Sequence, residues 1–304
     1  MYLEHFQLRE LPFTITPDTE FFMNRAGHQD ALNVMLVALR SGEGFVKVTG
    51  EVGVGKTLLC RTLLKSLNKT FATANIHNPY LQPGMLLLAV ADELGVAYPP
   101  EVNQHTLQKL ITKRLLDIHA GGRNVVLCLD EVQAMPVQTL ECLRLLTNIE
   151  TEKRKLIQVV LFGQPELDML LDHPSVRQLK QRITFSYELK PLNRLALKFY
   201  VRHRLAVAGC KSGEVFSETA LDSLYKASRG IPRLINILCH KAMLVALGKG
   251  EHHIKPKHIH AAAKDSPEAK QLGRPLAWPF ALFRRLSGVL GAIAVAAILF
   301  HFVR

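Results

Sequence analysis

Eight consecutive residues, Gly50-Glu51-Val52-Gly53-Val54-Gly55-Lys56-Thr57, fit the spacing G-x-x-x-x-G-K-[ST]. Glycines at this spacing let backbone N–H groups converge on one point, and a helix that starts at their end adds positive potential there. Such a nest takes phosphate oxygens. The flanking residues supply the context the motif needs: Phe45–Thr49 reads as a buried strand before it, and residues 58–67 read as a helix after it. Lys56 is then placed to neutralise the β- and γ-phosphates of a nucleoside triphosphate, and Thr57 to offer its hydroxyl to Mg²⁺. A chance glycine-rich turn would lack both flanking elements.

A second apolar run, Asn124–Leu129, ends in Asp130-Glu131. An uninterrupted apolar strand belongs in a parallel sheet buried on both faces. Ligands of such sheets bind outside the carboxyl ends of the strands, so both carboxylates fall at the edge where the glycine-rich loop opens. Asp130 is expected to hold Mg²⁺ through water and Glu131 to polarise the attacking water as general base. Residues 156–162 form another apolar strand, followed by Gly163 and Gln164. Gln164 there reads equally as an orienting group for the lytic water and as an exposed loop amide.

Around these strands the pattern alternates. A helix is expected over 28–39, where a segment of this kind is a candidate to pack beside a base. Phe21-Phe22 before it would bury an apolar anchor. A strand is expected at Phe71–Ile76, helices at 83–94, 104–119, 136–150 and 167–171, and a last alternating strand at 183–189. Five strands separated by helices indicate a doubly wound α/β domain. Residues 176–182 are basic. An arginine just before the last strand can be delivered to a neighbour's γ-phosphate, with Arg182 as the candidate and Arg177 as the runner-up. A solvated basic helix explains the same residues.

Beyond Pro191 the chain reads as helical, at 195–208, Glu218–Ser228, 232–247 and 256–263, a bundle of the size of a small lid. Ser217 is a natural N-cap, Gly230 a helix stop, and Pro232 a first-turn residue. Arg233, at the start of a lid helix, can reach phosphates from above. His252, His253, His258 and His260 follow without accompanying cysteines, and a solvated surface is the preferred reading. The five cysteines show no C-x-x-C pair and read as core residues in a reducing compartment. Met1–His5 has neither the basic nor the apolar region of a secretory signal.

The formal net charge of +12 favours polyanionic partners, which include nucleotide and an anionic membrane as well as nucleic acid. Residues 265–275 read as a linker. Residues 286–303 are almost wholly apolar and approach the ~20 residues that cross a bilayer. Arg284-Arg285 would stay on the cytoplasmic side and Trp278 would suit the interface. An amphipathic or buried helix is the competing reading.

Taken together these residues resemble the ExeA/GspA-like AAA+ ATPases of bacterial secretion and pilus assembly. The resemblance covers about residues 1–265 and rests on an ordered set: 6–13, Thr16-Pro17-Asp18, 49–57, Leu129-Asp130-Glu131, 140–150, 162–167 and 230–236. It implies a P-loop parallel sheet with helices on both faces (1–190), a helical lid (191–264), a linker (265–285) and a transmembrane helix (286–303). ATP and Mg²⁺ are the implied cofactors. Gly50, Glu51, Val52, Gly53, Val54, Gly55, Lys56, Thr57, Leu58 and Arg233 would bind nucleotide, with Thr57 and Asp130 on the metal. Gln164 is implied as sensor 1, Arg233 as sensor 2 and Arg182 as the arginine finger, hence nucleotide-dependent homo-oligomers.

The family's namesake continues past its membrane segment into a peptidoglycan-binding domain, whereas this sequence ends at Arg304. Direct peptidoglycan binding is therefore not expected of it. The expected activity is ATP hydrolysis by a single-pass inner-membrane protein with its ATPase domain in the cytoplasm. Its expected partners are pilus or secretion proteins of that membrane, and nucleic acid is not among them. Two other functions compete: a DNA-transposition ATPase stimulated by DNA, and a nucleotide-binding scaffold that scarcely turns over. Intact Lys56, Asp130 and Glu131 argue against the second.

Overall fold

A computed structural model describes residues 2–16, 18–21, 27–67, 71–150, 155–210 and 214–271. Its sheet is built from β1 (Phe45–Thr49), β2 (Phe71–Ile76), β3 (Asn124–Leu129), β4 (Ile157–Gly163) and β5 (Ile183–Glu188). Every pairing is parallel and the order is β2-β3-β4-β1-β5. Helix α1 (His28–Arg40) precedes β1 and α2 (Lys56–Leu67) follows it. Between β2 and β3 lie α3 (Pro83–Glu93) and α4 (Gln104–Ala120). Between β3 and β4 lies α5 (Val137–Leu146), and α6 (Glu166–Leu171) and α7 (Arg177–Lys180) lead to β5.

The apolar strand sequences serve two cores at once. Val125, Leu127 and Leu129 point into a core built with α3, α4 and α5. Val126 and Cys128, alternating with them, point into a second core built with α1 and α2. Successive strand side chains face opposite ways, so a strand covered by helices on both sides is apolar throughout. All of β4 is buried. At the edge, β5 alternates between half-buried and exposed residues as its sequence does.

Two boundaries move from their expected places, for local reasons. Helix α2 starts at Lys56 instead of 58, because the loop is complete once Gly55 has turned (φ 104°). Helix α5 stops at Leu146 instead of running to 150. The Arg182 guanidinium donates to the Arg144 carbonyl (3.4 Å) and to Asn148 (2.6 Å) at the helix end. Glu150 beyond it pairs with Lys155 in an antiparallel bridge.

The lid contains α8 (Arg194–Val207), α9 (Glu218–Ser228), α10 (Pro232–Gly248) and α11 (Pro256–Lys264). Its core also takes in Tyr2, Phe6, Leu8, Phe13 and Phe21. The residues before α1, expected as part of the α/β unit, are therefore housed in the lid. The polar stretch expected as a linker opens with a short helix, α12 (Pro267–Gln271), whose Ala269 packs on the lid core. Among the described residues no helix is long and apolar enough to cross a membrane. Residues 286–303, together with Trp278, Arg284, Arg285, Pro17 and Phe22, lie outside the described residues.

Candidate active site beneath the lid

Strands β1, β3 and β4 are neighbours and parallel, so their carboxyl ends deliver three segments to one place. From β1 comes the glycine-rich loop. Lys56 is almost fully buried (4% exposed), and its Nζ donates to the carbonyls of Gly50 (2.7 Å) and Glu51 (3.1 Å). Burial pushes the Lys56 pKa down, while Glu131, Asp130, Glu51 and Glu166 pull against that shift. Phosphate oxygens, richer in charge than the two carbonyls, are the natural replacement partners.

From β3 comes Asp130, whose Oδ2 accepts from the Thr57 hydroxyl at 2.6 Å. A buried carboxylate on a threonine oxygen is the hard-oxygen donor set that suits Mg²⁺. Glu131 takes a left-handed backbone (φ 54°), which aims its side chain away from the strand direction. Its Oε2 accepts from Gln133 Nε2 (2.7 Å) and from Gln164 Nε2 (3.0 Å), the latter delivered by β4. Burial pushes the Glu131 carboxyl up, but these two amides and the Lys56 ammonium outweigh it and hold it below the usual carboxylate range. A base that must be ionised is ionised throughout the neutral range.

The lid closes the site from the other side. The Arg233 backbone N–H donates to the Gly53 carbonyl at 3.1 Å. Gly53 has φ 82°, and a Cβ there would lie 2.7 Å from the Arg233 Cβ. Only glycine lets the start of α10 come this close. Between loop and lid is a cavity of about 200 Å³, lined by Lys56, Thr57 and Glu131 from the core and by Tyr200, Arg204 and Arg233 from the lid. Beside it, Phe21, His28, Leu192 and Tyr200 line a smaller apolar recess. Burial lowers the His28 pKa against the opposing bond from its ring to the Val54 carbonyl (3.1 Å), so the ring there is neutral at neutral pH. A wider open hollow of about 540 Å³, between Thr19, Arg61 and Lys65, adjoins the site but holds none of its phosphate-loop or carboxylate groups.

Thr14, Ile15 and Thr16 also line the cavity. The Arg204 guanidinium, 5% exposed, donates to the Pro12 carbonyl, to Tyr200 Oη (3.1 Å) and to Thr14 Oγ1 (3.4 Å). Asn236 accepts from Tyr200 (2.9 Å) and donates to the Thr14 carbonyl (2.9 Å). Arg204→Ala leaves several of these buried groups without partners, each costing ~1–3 kcal/mol. The expected outcome is a Tm drop of several degrees and weaker nucleotide binding. A variant with unchanged unfolding and nucleotide titrations would remove this role.

The structure thus brings together Lys56, Thr57, Asp130, Glu131, Gln164 and Arg233. It does not bring Arg182 or Arg177 to them. Arg182 is tied to the end of α5 and Arg177 is exposed. Of the histidines, His252 stacks on His5 (4.0 Å), His253 meets the Glu214 carbonyl, and His258 is buried against Glu251. Gln133, Arg204 and Asn236 escape sequence reasoning. Arg204 and Asn236 did carry a signal: each occupies a buried position on an otherwise apolar helix face. Gln133 carried none beyond following the carboxylates.

This fold and this site define a P-loop ATP hydrolase of the AAA class. Residues 39–171 match the family described as AAA domain. The chain is 42% identical to General secretion pathway protein A of Aeromonas hydrophila over 290 residues, which is 95% of this chain and 52% of that protein. These two matches support the ExeA/GspA-like AAA+ ATPases as its family. An uncharacterised HTH-type transcriptional regulator of Methanocaldococcus jannaschii is 23% identical over 78% of the chain and 59% of its own length. The chain spans about half the length of the curated relatives it matches. Among solved structures, Cdc6p from Pyrobaculum aerophilum superposes with a TM-score of 0.63 at 18% identity, over 86% of this chain and 75% of that one. ORC1 of Aeropyrum pernix, solved in complex with DNA, gives 0.61 at 18%, over 84% and 69%. At such identities the likeness establishes the fold alone.

Proposed function

We propose that the chain binds ATP with Mg²⁺ between core and lid and hydrolyses it with Glu131 as general base, in support of a type IV pilus of the mannose-sensitive haemagglutinin kind or a type II secretion-like machine. The observation that carries the chemistry is the meeting of Lys56, the Thr57–Asp130 pair and Glu131 at one sheet edge beneath Arg233. The resemblance to a general secretion pathway protein supports the setting.

In this reading Lys56 trades its two carbonyl partners for β- and γ-phosphate oxygens, and backbone N–H groups from Gly50 to Leu58 cradle the phosphates. The base packs in the recess of Phe21, His28 and Tyr200. Thr57 and Asp130 would hold Mg²⁺, which would neutralise charge on the phosphate oxygens. Gln164 orients the water and Arg233 reaches the phosphates from the lid. Arg182 serves a neighbouring subunit, which requires that it exchange its bonds at the end of α5 for the neighbour's γ-phosphate, with Arg177 as the alternative. ATP then favours homo-oligomers and hydrolysis resets them. The protein is anchored in the inner membrane through 286–303, with its ATPase domain cytoplasmic.

The test separates chemistry from setting. Full-length protein and a version ending at Gln271, the end of α12, are compared for ATPase activity and for retention in carbonate-washed membranes. Equal turnover, with retention only of the full chain, is the expected result. Solubility of both would sink the anchor. Turnover that appears only when duplex DNA is added would favour a transposition-type ATPase.

A further inference from the structure

Gln133 lies outside every motif used so far, yet its side chain makes two bonds at the reacting edge. Its Nε2 donates to Glu131 Oε2 at 2.7 Å, and its Oε1 accepts from the Gln164 backbone N–H at 2.9 Å. The amide therefore clips the end of β3 to the end of β4. Its orientation follows from chemistry. An ionised carboxylate only accepts and a backbone N–H only donates, so the reversed amide would turn two bonds into two repulsions.

The clip acts on one oxygen. Glu131 Oε2 already receives both Gln133 and Gln164, at 2.7 and 3.0 Å. That fixes the carboxylate plane and leaves Oε1 to take a proton from water. Gln164 reaches the same oxygen from a backbone whose N–H Gln133 holds. The turn that carries Gln133, Val132–Ala134, is closed by the Ala134 N–H on the Glu131 carbonyl at 3.0 Å. Backbone and side chain of Glu131 are thus restrained from the same three residues.

We propose that Gln133 is the positioning residue for the general base: it presents one Glu131 oxygen to water and makes that alignment depend on the spacing of β3 and β4. The inference rests on Glu131 being the base. A nucleotide that shifts the end of β4 moves the Gln164 N–H, and through Gln133 it moves the carboxylate. The site can therefore bind ATP while its base is out of line, and fire when the clip is set.

Three full-length variants test this: Gln133→Leu, Gln133→Glu and Glu131→Gln, each followed for kcat, KM and thermal unfolding. Misplacing a reacting group by about 1 Å costs up to ~10²-fold. Gln133→Leu should lose kcat by roughly ten- to a hundredfold, with KM for ATP within about twofold. Gln133→Glu keeps the size but cannot donate and sets a like charge against Glu131, so its kcat should fall at least as far. A purely structural Gln133 would lower the melting temperature and move kcat and KM together. Wild-type kcat in Gln133→Leu, or a loss confined to KM, overturns the proposal. Wild-type turnover in Glu131→Gln overturns instead the reading of Glu131, and so the two failures are told apart.

Discussion

Glu131→Gln should bind ATP as well as the wild type and turn it over slower by ~10²- to 10⁴-fold, the range a positioned general base supplies. The substitution keeps shape and removes charge. Gln133 and Gln164 would then face an amide, and half of the replacement's orientations repel them, so some loss of order accompanies the loss of basicity. The pH dependence has a definite sign. Because the Glu131 pKa lies below the usual value, wild-type turnover should be flat through neutrality and fall only as the pH drops through the acid range. Residual activity in the variant should lose that limb. If oligomers form on ATP, this variant should accumulate them. Steady-state turnover, nucleotide binding and sizing in ATP measure all three, and unchanged turnover would end the assignment of the base.

Gly230→Ala should be the most damaging glycine-to-alanine change among the described residues. A Cβ at Gly230 would lie 1.9 Å from the Leu192 carbonyl oxygen and 2.9 Å from its carbon, both backbone atoms that have nowhere to go. The residue also has φ 78°, where a side chain is strained in any space. Its own carbonyl accepts from the Leu192 N–H at 2.9 Å, so the turn between α9 and α10 is laid flat on the segment that joins lid to core. Relief means pulling the lid off that junction. A cost of ~4 kcal/mol or more is expected, which in a chain of this size lowers Tm by roughly 10 °C. Loss of nucleotide binding should follow, since Arg233 follows three residues later. A melting point within two or three degrees of wild type would mean that the joint is looser than its geometry implies.

The parts of this molecule that are local in sequence were legible in it. Strands β1 and β3 fall where their runs begin and end, because helices cover both faces and leave no alternative pattern. The phosphate loop and Asp130-Glu131 were legible because their chemistry is set by spacing. What could not be read is what pairs across the fold. Gln133 depends on how far β3 lies from β4. Arg204 reaches Pro12, and Asn236 reaches Thr14, from the opposite end of the chain, contacts that no window of residues contains. The assignment of 1–190 to one unit failed to foresee Tyr2, Phe6 and Phe13 in the lid core for the same reason: an aromatic anchor declares that it will be buried, not where. Arg182 was picked for its place before β5, and the structure gives it a local task, sealing the carbonyl end of α5.

That placement of the earliest aromatic residues has a consequence during synthesis. Tyr2, Phe6, Leu8, Phe13 and Phe21 share one core with residues from Leu192 to Ala262. At about 5–20 residues per second, roughly 10–40 s pass between the synthesis of these residues and that of the lid helices. Throughout that interval the α/β core can fold while five apolar side chains at its front remain uncovered. The nascent chain thus carries a sticky leader that the mature protein does not show. Recruitment of a holding chaperone to that leader, rather than to the sheet, is the expected demand this chain places on the cell.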